Sequence, residues 1–123
     1  MILLKDILNL HKLSIEEYGG SDGLRDTDLL ESAIARPFQT FNGKDLYPSI
    51  FEKAAALGES IIINHPFIDG NKRTGTIAMI ALLQENGLHF ATNEECLYNF
   101  IISISTGESR FQEIVEWLKA NTK

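Results

Sequence analysis

The sequence predicts an all-α fold of about six helices with one short β-hairpin set among them. Apolar residues recur at helical spacing in six stretches, and each stretch is bounded by glycine, proline or a small polar residue. Only Phe38 to Tyr47 has another character, with aromatic and polar residues around Asn42-Gly43, a strong short-range hairpin signal. At 123 residues, with no repeat, low-complexity stretch or linker, the chain is expected to form one domain over residues 1–123.

Leu3, Leu4, Ile7, Leu8, His11 and Ile15 line one stripe of a first helix, which Gly19-Gly20 ends. Ser21 to Arg25 reads as loop. Asp26 and Asp28 can cap a short second helix with Leu29, Leu30, Ala33 and Ile34 facing inward, Glu31 in its first turn and Pro37 as its stop. Phe38 to Tyr47 forms a two-stranded flap. A long third helix runs from about Ser49 to Asn64, between Pro48 at its entrance and His65-Pro66 at its exit. Asn71 is the expected cap of a fourth helix ending near Asn86-Gly87. Thr92 with Glu95 makes a capping-box pattern for a fifth, closed by Gly107. Ser109 with Gln112 starts a sixth, carrying Phe111, Ile114, Val115, Trp117 and Leu118.

Composition narrows the function. The net charge of −6 argues against a general nucleic-acid binder or a protein of anionic membranes. Cys96 is the single cysteine, so neither an intrachain disulfide nor a thiolate zinc site is expected. The apolar runs are far shorter than the roughly 20 residues of a membrane span. Met1-Ile2-Leu3-Leu4 meets Lys5-Asp6 at once, which leaves no signal-peptide core and makes a cytoplasmic protein the expectation.

The segment between the third and fourth helices, His65-Pro66-Phe67-Ile68-Asp69-Gly70-Asn71-Lys72-Arg73-Thr74-Gly75, holds the chemistry. Backbone N–H groups at a helix start have no intrahelical partner and lie at the positive end of the dipole. Gly70 allows a tight turn, and Lys72 and Arg73 add charge that opposes the dipole unless an anion relieves it, so the segment suits phosphate. Neutral His65 can accept a proton near neutral pH. Asp69 is placed to hold a hard cation such as magnesium against phosphate oxygens. Base, metal and cationic cradle are the parts of phosphoryl transfer. No Walker loop is present. Taken singly, the same residues also fit a helix stop and a turn, with Phe67 and Ile68 packed beneath.

HPFIDGNKRTG resembles the signature of the Fic/Doc (Fido) family, HxFx[DE][GA]N[GK]R. Gly23 to Pro37 is similar to the N-terminal stretch of the family's death-on-curing (Doc) branch. The resemblance implies a Fido-type helical bundle with a β-hairpin flap before the motif loop. It implies His65 as the general base, Phe67 as the anchor of the loop and Asp69 as the magnesium ligand. Gly70, Asn71, Lys72 and Arg73 would cradle the phosphates of ATP, with Asn71 and Arg73 touching phosphate oxygens directly. The flap, with Thr40, Phe41, Asn42 and Gly43 at its tip, would hold a target peptide by strand pairing.

Two positions separate the branches. Family members that transfer AMP have glycine after the asparagine and a second arginine three residues beyond the first; this chain has Lys72 and Thr76. In the Doc branch these changes accompany a reversed nucleotide, so the γ-phosphate meets the target and the enzyme is a kinase. The implied function is a toxin that phosphorylates a Ser or Thr hydroxyl of a cytoplasmic protein, in the family the translation factor EF-Tu. Thr27 to Glu31 matches only the start of the self-inhibitory motif [ST]xxxE[GN], because Ser32 follows. Restraint is therefore expected from a separate antitoxin. The alternatives are an AMP transferase and a non-catalytic module that binds the antitoxin. Outside the loop, His11 is read as a core-edge residue, His89 as part of a connection, Cys96 as a small core residue and Trp117 as core. Glu94-Glu95 is read as charge complementing a helix start.

Overall fold

A computed structural model describes residues 4–123. Leu3, the first member of the expected apolar stripe, lies outside them. Six helices and a two-stranded hairpin follow in order: α1 (Leu4–Tyr18), α2 (Thr27–Ala35), a 3-10 turn (Arg36–Phe38), β1 (Thr40–Phe41), β2 (Lys44–Asp45), α3 (Ile50–Asn64), α4 (Asn71–Glu85), α5 (Glu94–Ser105) and α6 (Phe111–Ala120). The all-α class with one hairpin is as expected.

The axis of the bundle is α3. Ala54 to Gly58 and Ser60 to Ile62 are all buried, an almost continuous burial that a helix surrounded by others requires. It packs against α2, α4, α5 and α6, while α1 lies across α4. The α3–α4 pair approaches closely because glycines face each other across it. A Cβ on Gly75 would come 2.6 Å from Ile62 Cγ1 and 3.3 Å from the Gly58 carbonyl oxygen. One on Gly58 would strike the Met79 sulfur at 2.3 Å. Phe67, Ile7, Leu30, Leu83, Ile104, Ile114 and Leu118 complete the buried core, and Trp117 stacks on Phe100 at 3.8 Å from α6 to α5.

The caps follow side-chain chemistry, with shifts of one residue in three places. Asp26 caps α2 and Ser49 caps α3, each accepting a hydrogen bond from the N–H three residues on. For α5 the cap is Asn93 rather than Thr92: its Oδ1 accepts from the Cys96 N–H at 2.8 Å. For α6 it is Arg110 rather than Ser109. There Glu113 accepts the Arg110 N–H at 3.0 Å, while Ser109 bonds Ser103 instead. For α4 the cap is Gly70 in a left-handed conformation, and Asn71 is the first helical residue. Pro37 does not break α2 sharply; the chain tightens into the 3-10 turn that contains it. Cys96 is exposed, not core, because it lies on the outer face of the first turn of α5.

The hairpin is a tight two-residue turn in which Asn42 and Gly43 both take positive φ, 52° and 77°. Its register pairs Thr40 with Asp45 and Phe41 with Lys44. Lys53 near the start of α3 holds its base, donating to the Asp45 carboxylate at 3.1 Å and to the Tyr47 carbonyl. Arg36 adds hydrogen bonds to Tyr47, Glu59 and Ser60. The hairpin and its flanks are thus tied to α3 at both its first turn and its C-terminal half. Among the described residues, no helix is long and apolar enough to cross a membrane.

Candidate active site

The motif loop leaves the C-terminal end of α3. His65 closes that helix in the left-handed region, φ 51° and ψ 59°, a conformation that burdens any residue but glycine and turns the chain out of the helix axis. Helix carbonyls at that end lack intrahelical donors. Arg25 supplies them: Nε donates to the His65 carbonyl at 2.6 Å and Nη2 to that of Asn64 at 2.7 Å. One guanidinium thus fixes the turn that carries the imidazole.

Beyond His65 the loop is laced to residues 23–26. Arg25 and Asp26 N–H groups donate to the Pro66 carbonyl, the Ile68 N–H donates to that of Gly23, and Leu24 bridges Phe67 antiparallel. Phe67 is 1% exposed and stacks flat on the buried His11 ring, 3.8 Å between centroids and 6° between planes. Ile68, expected beneath the loop, points outward and is 58% exposed, because the bridge fixes Phe67 inward and its neighbour therefore outward.

Asp69 sits at the mouth of this loop. Its Oδ2 accepts the Ser21 N–H at 3.1 Å and its Oδ1 the Gly70 N–H at 2.8 Å. The Ser21 and Gly70 N–H groups, then the Arg73 charge, hold its carboxyl below the ordinary carboxylate range, so the group is anionic at neutral pH. Gly20 lies so close that a Cβ there would come 2.7 Å from Oδ2. Among the described residues no cluster of three His, Cys, Asp or Glu side chains could hold a metal. A single anionic, solvent-facing carboxylate fits magnesium, which keeps most of its ligands as water and phosphate oxygens.

Gly70 makes the turn into α4 at φ 76°. Asn71 is 7% exposed, and its amide bonds the Phe67 N–H and carbonyl. The side chain therefore faces into the loop, where its amide holds the Phe67 backbone, and the Asn71 N–H lies at the helix start. Arg73 donates from Nη2 to the Gly19 carbonyl at 2.7 Å and lies over the Tyr18 ring, while its Nε has no protein acceptor. Lys72 is exposed. Thr76 turns its hydroxyl back to the Lys72 carbonyl at 2.7 Å, so it adds no donor to the cradle.

Two clefts meet here. One, about 320 Å³, is lined by His65, Ile68, Asp69, Gly70, Asn71, Lys72 and Arg73. The structure thus brings His65, Asp69, Gly70, Asn71, Lys72 and Arg73 to one cleft, with Phe67 buried beneath it. The second, about 610 Å³ and mostly apolar, shares Lys72 and Arg73 and continues along Tyr18, Thr76, Ile77, Tyr98, Ile101 and Ile102. Hairpin residues Thr40, Phe41, Asn42 and Gly43 line neither. The segments flanking them are tied to α3 by Lys53 and, through Arg36, by Glu59 and Ser60. Both strands of the hairpin are exposed.

The residues missed by sequence are those that hold the loop and Arg73 from outside the motif: His11, Gly19, Ser21 and Arg25. Arg25 alone left a usable signal, since a cation suits a helix C-terminus; which helix it serves was not legible.

Residues 2–83 match the model of the Fic/DOC family. The chain is 45% identical over 76 residues to the toxin Doc of Mycolicibacterium smegmatis, covering 62% of this chain and 58% of that protein. The match therefore spans less than two thirds of that relative's length. The protein kinase doc of Escherichia phage P1 is 27% identical over 115 residues, 94% of this chain and 90% of the relative.

Proposed function

The chain belongs to the Fic/DOC family, and on that premise we propose that it is a Doc-like toxin kinase that transfers the γ-phosphate of ATP to a Ser or Thr hydroxyl of a protein. The observation that carries this reading is the order of the two clefts. The apolar cleft, with Tyr18 and Tyr98 available to a nucleoside, meets the motif cleft only through Lys72 and Arg73, and His65 lies on the other side of them. A triphosphate whose nucleoside occupies the apolar cleft runs over the start of α4 and presents its terminal phosphate to His65. Thr76, turned away from the cradle, adds no cation to hold a γ-phosphate at the far end.

In this reading His65 takes the proton of the target hydroxyl as its oxygen attacks the γ-phosphorus. The bond from that phosphorus to the bridging oxygen breaks, and ADP leaves. Free N–H groups at the start of α4, with Lys72 and Arg73, neutralise charge on the moving phosphoryl group. Asp69 would hold magnesium, which when bound supplies charge neutralisation on phosphate oxygens. The left-handed turn at His65, clamped by Arg25, sets the direction in which the imidazole leaves the backbone.

The names of the two relatives, a toxin and a protein kinase, support the reading. By the same resemblance the target is a cytoplasmic protein such as EF-Tu, and a separate antitoxin restrains the enzyme. Incubation of the protein with a cell lysate and ATP labelled separately at the α- and γ-phosphate tests it. Transfer of the γ label with ADP release is the expected result. Retention of the α label with pyrophosphate release would replace the kinase by an AMP transferase. If neither label is retained, the site serves only to bind a partner such as the antitoxin.

A further inference from the structure

We propose that His11, outside the motif, is a positioning residue of this site: it grips the Asp69–Gly70 peptide and through it aims the Asp69 carboxylate. The importance of that aim for magnesium rests on the kinase reading above. His11 projects from the middle of α1 and is 2% exposed. Its Nε2 lies 2.8 Å from the Asp69 carbonyl oxygen, which can only accept, so Nε2 carries the hydrogen. Its Nδ1 is 3.7 Å from Asp22 Oδ1, too far for a hydrogen bond.

The lever is the peptide plane. Asp69 C=O and Gly70 N–H belong to one planar unit. His11 holds the oxygen of that unit, and the Asp69 carboxylate leans on its N–H at 2.8 Å through Oδ1. Rotation of the plane would carry the N–H away from Oδ1 and release the carboxylate on that side. The adjoining residue is Gly70, whose missing Cβ leaves the plane little steric restraint of its own. Ile15 Cδ1 and His11 Cδ2 stand only 3.3 and 3.7 Å from where that Cβ would be. The second grip, from the Ser21 N–H to Oδ2, comes from the loop that follows α1. Packing alone does not require an imidazole here. A phenyl ring would fill the stack on Phe67 without bringing a buried polar atom that needs a partner. Outer-shell partners of a metal ligand typically change metal affinity about 10- to 100-fold when removed.

Two variants separate aiming from packing. His11→Phe keeps the stack and removes the donor; His11→Gln restores an amide donor of similar reach and removes the stack. Amide hydrogen exchange on the free protein, without nucleotide or metal, is the first readout. His11→Phe should raise exchange at Gly70 and Ser21 by about tenfold or more while core amides of α3 and α6 stay as in the wild type, and His11→Gln should reverse part of the change. The second readout is the magnesium dependence of transfer: half-saturation should move up about 10-fold or more in His11→Phe, with the rate at saturating magnesium largely kept. Unchanged exchange at Gly70 and Ser21 in His11→Phe would overturn the proposal. So would an equal rise at all amides, the mark of a merely structural residue. If the wild type transfers no label at all, the kinase reading fails and the exchange experiment still decides the role of His11.

Discussion

The side-chain amide of Asn71 closes two hydrogen bonds onto the backbone of Phe67, 2.9 Å from its N–H and 3.0 Å from its carbonyl. A residue at the start of α4 thereby satisfies the two Phe67 backbone groups that the bridge to Leu24 leaves unpaired. The closure spans four residues and encloses both Asp69 and Gly70. It fixes the separation between the loop and the start of α4.

Asn71→Ala should destabilise the protein by about 2–3 kcal/mol, since a buried donor and a buried acceptor are both left without partners. Chemical denaturation measures it. A loss under about 0.5 kcal/mol, the size of an ordinary surface change, would show that water replaces the amide freely.

His65→Ala should reduce transfer by at least about 100-fold, the lower end of what general-base catalysis contributes, with the fold kept. His65→Gly should be equally inactive but more stable than His65→Ala by about 1 kcal/mol, because only glycine takes φ 51° without steric cost. Activity assays and thermal melts on both variants check the pair. More than about a tenth of wild-type activity in either would remove His65 as the base.

Asp69→Asn keeps the shape of the side chain and loses its charge. Transfer should fall at low magnesium and recover in part with excess magnesium. The carboxylate also acts on stability. Its folded pKa lies below the ordinary value, so its contribution is fully present above the ordinary value and disappears as pH falls through the lowered one. The acid limb of a stability-against-pH curve should therefore be shallower in Asp69→Asn than in the wild type. Coincident acid limbs, with full activity at low magnesium, would reduce Asp69 to a turn residue.

Gly75→Ala should cost about 1–3 kcal/mol despite the better helix propensity of alanine, because its methyl group meets Ile62 and the Gly58 carbonyl across α3 and α4. Denaturation midpoints decide it. A stabilised variant would mean that the two helices can separate slightly without loss.

The sequence by itself determined the order of the six helices, the hairpin turn at Asn42-Gly43, the caps at Asp26 and Ser49 and the chemistry of residues 65–73. These are local properties: helical spacing, positive-φ turns and caps act over three or four residues, and neighbouring letters record them. One-residue errors at Thr92, Ser109 and Asn71 have the same origin, since adjacent polar residues compete for a cap and tertiary contacts choose between them. What only the tertiary structure decided is which distant groups meet. His11 and Asp69 are 58 positions apart, Arg73 and Gly19 are 54, and Arg25 and His65 are 40. Each of these bonds joins a side chain to a backbone atom, and a backbone atom has no letter of its own, so no pattern in the sequence announces the pair. The hairpin obeyed its local turn signal, but the side chains that tie its flanks to α3, Lys53 to Asp45 and Arg36 to Glu59 and Ser60, meet only in the fold.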